Sequence, residues 1–253
     1  RHFNAQPVDG KRNFLYFAGV SYCCNIYLNG EKIGSHEGSF TPFQFEVTGK
    51  LKHGGNLLVV EVNNRRQKDA IPAMSFDWWN YGGITRDVML VTLPETYISD
   101  YFIRLDKHRA DLIHIDAELS QAVAGRQIKV SLPQLKRDVT LTTDASGKAQ
   151  AQLKVKGLRR WSTDDPWLYR VELTTDGDRV TDEIGFRNIE TKGTQILLNG
   201  KPVFLRSISF HEEIPQRMGR ACTPGDAMML LSEARDLGAN MIRLAHYQQN
   251  EYI

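Results

Sequence analysis

Between Asn13 and Leu93 the sequence repeats one kind of run: FLYFAGV, CNIYL, FQFEV, LLVVEV and DVMLVTL, set apart by Gly, Asn, Pro and Lys. Apolar residues fall at about every second position, which puts one face of an extended chain on a core and the other in water. The runs therefore read as antiparallel strands of a sandwich. Asn29 and Gly30, between CNIYL and EKIGS, tolerate the positive φ that a two-residue hairpin needs. A second set fills the chain from about Tyr97 to Asn188: YISDYFIRL, LIHIDAEL, QIKVSL, VTLTT, AQAQLKV, LYRVELTT and EIGFRNI. Seven short strands in about ninety residues predict an immunoglobulin-like β-sandwich.

After Ile189 the rhythm changes. Ile196 to Arg206, ILLNGKPVFLR, is another Asn-Gly hairpin. A helix is then predicted, with Thr223 as N-cap, Pro224 in the first position and Asp226 in the first turn. Ala227, Leu230, Leu231, Ala234 and Leu237 would form its apolar face and Gly238 its terminator. Asn240 to Ala245, NMIRLA, follows as a buried strand. Strand, helix, strand opens a parallel α/β layout, but one such unit cannot cover both faces of a parallel sheet. The expected division is a sandwich over residues 1–95, a second over 96–188, and the first piece of a further domain over 189–253.

A chain of 253 residues is long enough for more than one core. Its 32 Lys+Arg against 30 Asp+Glu, a balance of +2 with no basic block, argue against nucleic acid or an anionic membrane as partner. No apolar run approaches the roughly 20 residues that span a bilayer, and RHFNAQPVDG is not a signal peptide. The chain reads as an interior portion of something longer, soluble, with cytoplasm, periplasm and exterior all open as compartments. Cys23, Cys24 and Cys222 form neither a disulfide framework nor a metal spacing, and are read as buried thiols.

Chemistry concentrates in three places. The first is FDWWNYGGITRDV, Phe76 to Val88. Trp and Tyr offer flat apolar faces with a polar edge, and Asp77 can accept hydrogen bonds from hydroxyls, a mixture suited to a sugar ring. The plainer alternative divides Trp78, Trp79 and Tyr81 between a sandwich core and a seam, with Arg86 and Asp87 as a structural pair; it explains Asp77 least. The second and third are His211, directly after FLRSISF, and His246, directly after MIRLA. If those strands open a barrel, both histidines emerge at carboxyl ends, where such barrels build active sites. They could bind hydroxyls or a metal, although no third His or Cys lies nearby at zinc spacing; structural, hydrogen-bonded histidines are the alternative. Arg243, in the same apolar strand as a buried residue, would need an anionic partner. Glu212 and Glu213 are adjacent, so in extended chain they point to opposite sides. Loop solvation or salt bridging suits them better than an acid/base pair.

LNGKPVFLRSISFHEE, followed by GANMIRLAHYQQNEYI, resembles the entry to the barrel domain of glycoside hydrolase family 2, which contains β-galactosidases, β-glucuronidases and β-mannosidases. FDWWNYGGITRDV and YLNGEKIGSHEGSFTPFQFEVT resemble parts of that family's N-terminal sugar-binding domain. The resemblance implies a mainly β chain: a partial jelly-roll sugar-binding domain (1–95), an immunoglobulin-like β-sandwich (96–188), and the first strands and helix of a (β/α)8 barrel (189–253). It implies that Asp77, His211 and His246 bind substrate, that Arg243 lies beneath the catalytic carboxylates, and that Asp77 is a candidate sodium ligand. No cofactor is implied as required, with sodium or magnesium the ions to consider. Ser207 and Ser209 stand where the family often shows Gly and Asn, and Gln248 where Pro is usual.

The function so implied is that of a portion of a retaining exo-β-glycosidase, a β-galactosidase first and a β-glucuronidase second, acting on β-linked oligosaccharides or glycosides, with a homo-oligomer as the form of the intact enzyme. A non-catalytic carbohydrate-binding module or a β-sandwich scaffold is the alternative from another class. Both catalytic glutamates are expected beyond Ile253, so the chain alone is expected to be inactive, with Asn250-Glu251 a decoy.

Overall fold

In a computed structural model of the chain, which describes residues 1–71, 73–76, 78–217, 219–221 and 223–253, both Asn-Gly pairs close hairpins. Asn29 and Gly30 take φ of 53° and 90°, and Asn199 and Gly200 take 55° and 81°, the left-handed values that match the twist of the flanking strands. The first joins Cys23–Leu28 to Glu31–Glu37 and the second joins Gln195–Leu198 to Lys201–Pro202. The described residues are mainly β, with the single α-helix Pro224–Asp236. No helix among them is long and apolar enough to cross a membrane. Two units are separately packed: Arg1–Thr92 together with Leu205–Ile253, and Leu93–Phe204.

In the first unit a four-stranded sheet runs in the order His2–Ala5, Gly54–Asn63, Cys23–Leu28, Glu31–Glu37. A three-stranded sheet runs Phe43–Glu46, Lys11–Phe17, Val88–Pro94. Alternate residues of both meet in one core that includes Leu15, Phe17, Cys24, Ile26, Leu28 and Leu58. Gly34 is required by this packing, because a Cβ there would stand 2.1 Å from the Phe45 ring. The carboxyl-terminal part of the unit holds the parallel pair Ser207–Phe210 and Met241–Leu244, joined through the helix.

The helix begins as its sequence predicts. Thr223 accepts from the Asp226 amide, and the Asp226 side chain accepts from the Thr223 amide in a capping box. Ala227, Leu230 and Ala234 are buried, but Leu237, the C-cap residue, is 76% exposed. The expectation that NMIRLA is buried is also corrected: Met241 is 41% and Leu244 49% exposed. A pair of strands backed by one helix leaves one of its faces uncovered.

The second unit contains six of the seven expected strands; the seventh lies earlier than EIGFRNI, at Asp178–Ile184, and residues 185–188 are in no strand. Ile98–Leu105, Leu112–Leu119 and Lys148–Lys154 form one antiparallel sheet; Arg137–Thr142, Gln127–Leu132, Tyr169–Thr175 and Asp178–Ile184 form the other. Their inner faces share a core in which Ile113, Ile115, Ile128, Leu132 and Leu173 are fully buried, each burial worth about 1.5–3 kcal/mol.

Candidate functional site

The site is built in the first unit, where the stretch after Trp79 meets the residues following the two parallel strands. Gly83–Ile84 pairs antiparallel with Val20–Ser21, Thr85 N donates to Gly19 O at 3.1 Å, and Ala18 N donates to Asp87 O at 2.9 Å. This local sheet delivers Arg86 inward. Its guanidinium donates to Glu212 through Nε (3.3 Å) and Nη2 (2.7 Å), to the Ala18 and Phe40 carbonyls through Nη1 (3.3 and 2.9 Å), and to Gln248 O through Nη2 (2.5 Å). Glu212 Oε2 also accepts from Asn250 N at 3.1 Å. The two side chains are only 3% and 0% exposed.

The plainer alternative pairs Arg86 with Asp87, and the structure replaces that pair. Neighbours in extended chain face opposite ways, so Arg86 turns to Glu212 while Asp87 accepts from the Tyr252 hydroxyl at 3.0 Å. That bond raises the Tyr252 phenol above its ordinary range. Glu212 is likewise no solvated loop residue; it is the salt-bridging alternative that holds. Glu213 turns away from it into a two-residue antiparallel pairing with Arg220.

His211 directly follows one of the parallel strands and His246 follows the other after Ala245, and the structure brings them together with ring centroids 5.5 Å apart. Trp78 packs beside both, 5.8 Å from His211 and 5.4 Å from His246, and itself leans on Phe76 at 4.8 Å. His211 is half-buried and His246 exposed. Trp78 Nε1 and Asn80 Oδ1 are buried and take no hydrogen bond among the described residues. Trp79 is 68% exposed, in edge contact with Tyr81. Asp77 lies outside the described residues. Arg243 pairs in register with Ser209 and is exposed, so the anionic partner that burial would have demanded is not required of it.

Sequence reasoning passed over the support beneath the histidines. Tyr247 stacks on Phe40 at 4.1 Å and 10°, its hydroxyl accepts from Glu212 N at 3.2 Å, and it stands 3.3 Å from His211 Nδ1. The Arg220 guanidinium sits 5.1 Å from the Phe40 ring, 5.1 Å from Tyr247 and 5.4 Å from Tyr81, within reach of cation–π attraction. Burial pushes the phenols of Tyr247 and Tyr81 above their ordinary range. An aromatic trailing a histidine was the available signal, but it names no partner.

Among the described residues, which do not include Asp77, no group of three or more His, Cys, Asp or Glu could hold a metal ion. Cys24 is buried and Cys23 half-buried, and burial raises both thiols away from the reactive thiolate; Cys222 lies outside the described residues. An apolar cavity of about 670 Å3 in the same unit is walled by Phe3, Leu58, Val60, Val88 and Met89 and shares no residue with the histidine site. Lacking convergent polar side chains apart from Arg1, it does not suit a sugar.

Two family models match the chain: "Glycosyl hydrolases family 2, sugar binding domain" over residues 3–94 and "Glycosyl hydrolases family 2" over residues 96–187. A beta-galactosidase of Thermoanaerobacter pseudethanolicus is 30% identical over 98% of the chain and 36% of its own length. A putative beta-glucuronidase of Formosa agariphila is 34% identical over 93% of the chain and 30% of its own length. The solved structure of Bifidobacterium dentium beta-glucuronidase complexed with coumarin-3-O-glucuronide superposes with a TM-score of 0.90 at 27% identity, over 99% of the chain and 48% of that protein. The chain thus spans about a third of the curated relatives and about half of the solved one.

Proposed function

From the fact that the chain belongs to glycosyl hydrolases family 2, we propose that it is a portion of a retaining exo-β-glycosidase that removes terminal β-linked sugars, with a β-galactoside as substrate. The observation that carries this reading is the convergence of Trp78, His211 and His246. An indole face flanked by two imidazoles offers an apolar platform and hydrogen-bonding nitrogens, which is what a sugar ring with its hydroxyls demands. Asp77, directly before Trp78, joins them as a hydroxyl ligand. The strand–helix–strand unit from Ser207 to Leu244 is, on this reading, the opening of a (β/α)8 barrel, whose strand ends carry the site, with Arg243 beneath the catalytic carboxylates.

Retaining hydrolysis needs two carboxyls about 5 Å apart, one attacking the anomeric carbon and one protonating the leaving oxygen. Glu212 does not suit either role, because both its oxygens are engaged by Arg86 and Asn250. Glu213 is held in a strand pair. We therefore assign this chain the binding side chains and place the carboxyl pair elsewhere in the intact protein. A β-glucuronide is the second reading, favoured by the likeness to the Bifidobacterium dentium enzyme.

The test is turnover of chromogenic β-galactoside and β-glucuronide by the intact protein, with the anomeric configuration of the first-formed sugar followed by NMR. Retention on one of the two substrates is expected, and none from the 253-residue chain alone. Inversion would refute the mechanism. Turnover by the isolated chain that Glu251→Gln abolishes would show the catalytic pair to be misplaced.

A further inference from the structure

We propose that Tyr247 is a positioning residue that fixes the tautomer of His211, so that the imidazole presents Nε2–H as a hydrogen-bond donor. A tyrosine hydroxyl has one proton to give and two lone pairs to accept with. The Tyr247 oxygen accepts from the Glu212 amide at 3.2 Å and from the Arg220 guanidinium. Neither an amide N–H nor a guanidinium can accept in return. With both lone pairs taken, the phenol proton must be directed at an acceptor, and His211 Nδ1 stands 3.3 Å away.

Burial keeps the phenol protonated across the ordinary pH range, so that proton is there to be given. A neutral imidazole that accepts at Nδ1 carries its hydrogen on Nε2. The tyrosine is itself immobilised. Its ring stacks on Phe40, and the Glu212 side chain that anchors the neighbouring amide is clamped by Arg86. The tautomer of His211 is thus set by a chain of contacts running back into the sandwich, through residues that need not touch substrate. The consequence for chemistry rests on the proposed function: His211 would donate to a sugar oxygen and could not accept from a sugar hydroxyl through that nitrogen.

The ring nitrogens of a 15N-labelled chain report this directly in long-range 1H–15N correlation spectra at about pH 8, where an ordinary imidazole is neutral. His211→Gln identifies the signals by their loss. The expected spectrum of the native chain has His211 in one tautomer, with Nδ1 bare and Nε2 protonated. Tyr247→Phe keeps the ring against Phe40 and removes only the hydroxyl, and should change the single tautomer into comparable populations of both. A native spectrum with the proton on Nδ1 overturns the proposal, as does an unchanged tautomer in Tyr247→Phe. Should that variant fail to fold, the native spectrum decides alone. Titration of the intact protein with a β-galactoside and a β-glucuronide is the separate arm: lack of binding of both would count against the substrate reading and leave the tautomer result standing.

Discussion

Arg86 Nη2 lies 2.7 Å from Glu212 Oε2 and Nε lies 3.3 Å from Oε1, a bidentate pair that ties residues 126 positions apart in the chain. It joins the stretch that carries Trp78 to the segment that carries His211 and His246. Burying two charges costs several kcal/mol of lost hydration per ion, and mutual attraction offsets that only when the remaining donors and acceptors are satisfied. They are. The carbonyls of Ala18, Phe40 and Gln248 take other guanidinium protons, and the Asn250 amide takes a further carboxylate lone pair.

Removing one partner should therefore cost more than removing both. Glu212→Gln leaves Arg86 buried without a counter-charge, and the first unit should lose about 3–5 kcal/mol. Arg86→Met combined with Glu212→Met removes both charges. It also takes a partner from the Ala18, Phe40 and Gln248 carbonyls, the Asn250 amide and the buried Arg220, 3.8 Å from Glu212, so it should recover only part of the loss. Urea unfolding of the chain, followed by hydrogen exchange at the Asn250 amide, checks both. A loss below about 1 kcal/mol in the single variant would mean that the pair is solvated like a surface bridge.

How much of this was legible depended on whether the cause was local. Asn29-Gly30 and Asn199-Gly200 fix their turns through their own φ preferences, and the capping box of Thr223 and Asp226 is closed within four residues. Such features can be read wherever they occur. Alternation gave six strands of the second unit for the same reason, and missed the seventh, Asp178–Ile184, where apolar residues are sparse. Glu212 was different: a carboxylate after a histidine looks the same in sequence whether it is solvated or fully buried, and its partner is found only when the chain has folded. Arg243 failed in the opposite direction, since an apolar strand suggested burial but its face is exposed. The histidines were found because both follow strands that proved to be parallel neighbours.

A sugar-binding role for His246 predicts a separation of activity from stability. The ring is exposed and packs chiefly on Trp78 and His211, so His246→Ala should change the thermal midpoint little. Losing a ligand to a substrate hydroxyl should lower kcat/KM of the intact protein by roughly ten- to a hundredfold, the equivalent of about 1.4–2.7 kcal/mol. Steady-state kinetics beside a thermal scan checks this. Unchanged kcat/KM on the β-galactoside and the β-glucuronide would remove His246 from the site.

The helix Pro224–Asp236 links the two strands that His211 and His246 follow, and its start depends on one hydroxyl. Thr223→Ala removes the acceptor for the Asp226 amide and should cost about 1 kcal/mol. Thr223→Ser, which keeps the oxygen, should cost far less. Urea midpoints of the two variants provide the comparison, and equal losses would show that the methyl group, not the cap, is what matters.

In the second unit Asp106 accepts from His114 Nε2 at 2.6 Å and from the amides of His108 and Arg109 at 2.8 Å each. The His114 bond is the largest influence, and together these contacts hold the carboxyl at about 2. An unfolded aspartate titrates at about 3.9. Because the folded value is the lower one, ionised Asp106 favours the native state above about pH 4, and that contribution disappears as pH falls towards about 2. Asp106→Asn lacks this dependence. The stability difference between native chain and variant should shrink as pH falls through the window between about 4 and about 2. Carboxyl NMR titration of Asp106, with urea midpoints of both proteins across the same range, measures the two halves of the argument. A carboxyl that titrates near 4 in the folded chain, or a difference that does not shrink in acid, would show that the His114 contact does not hold in solution.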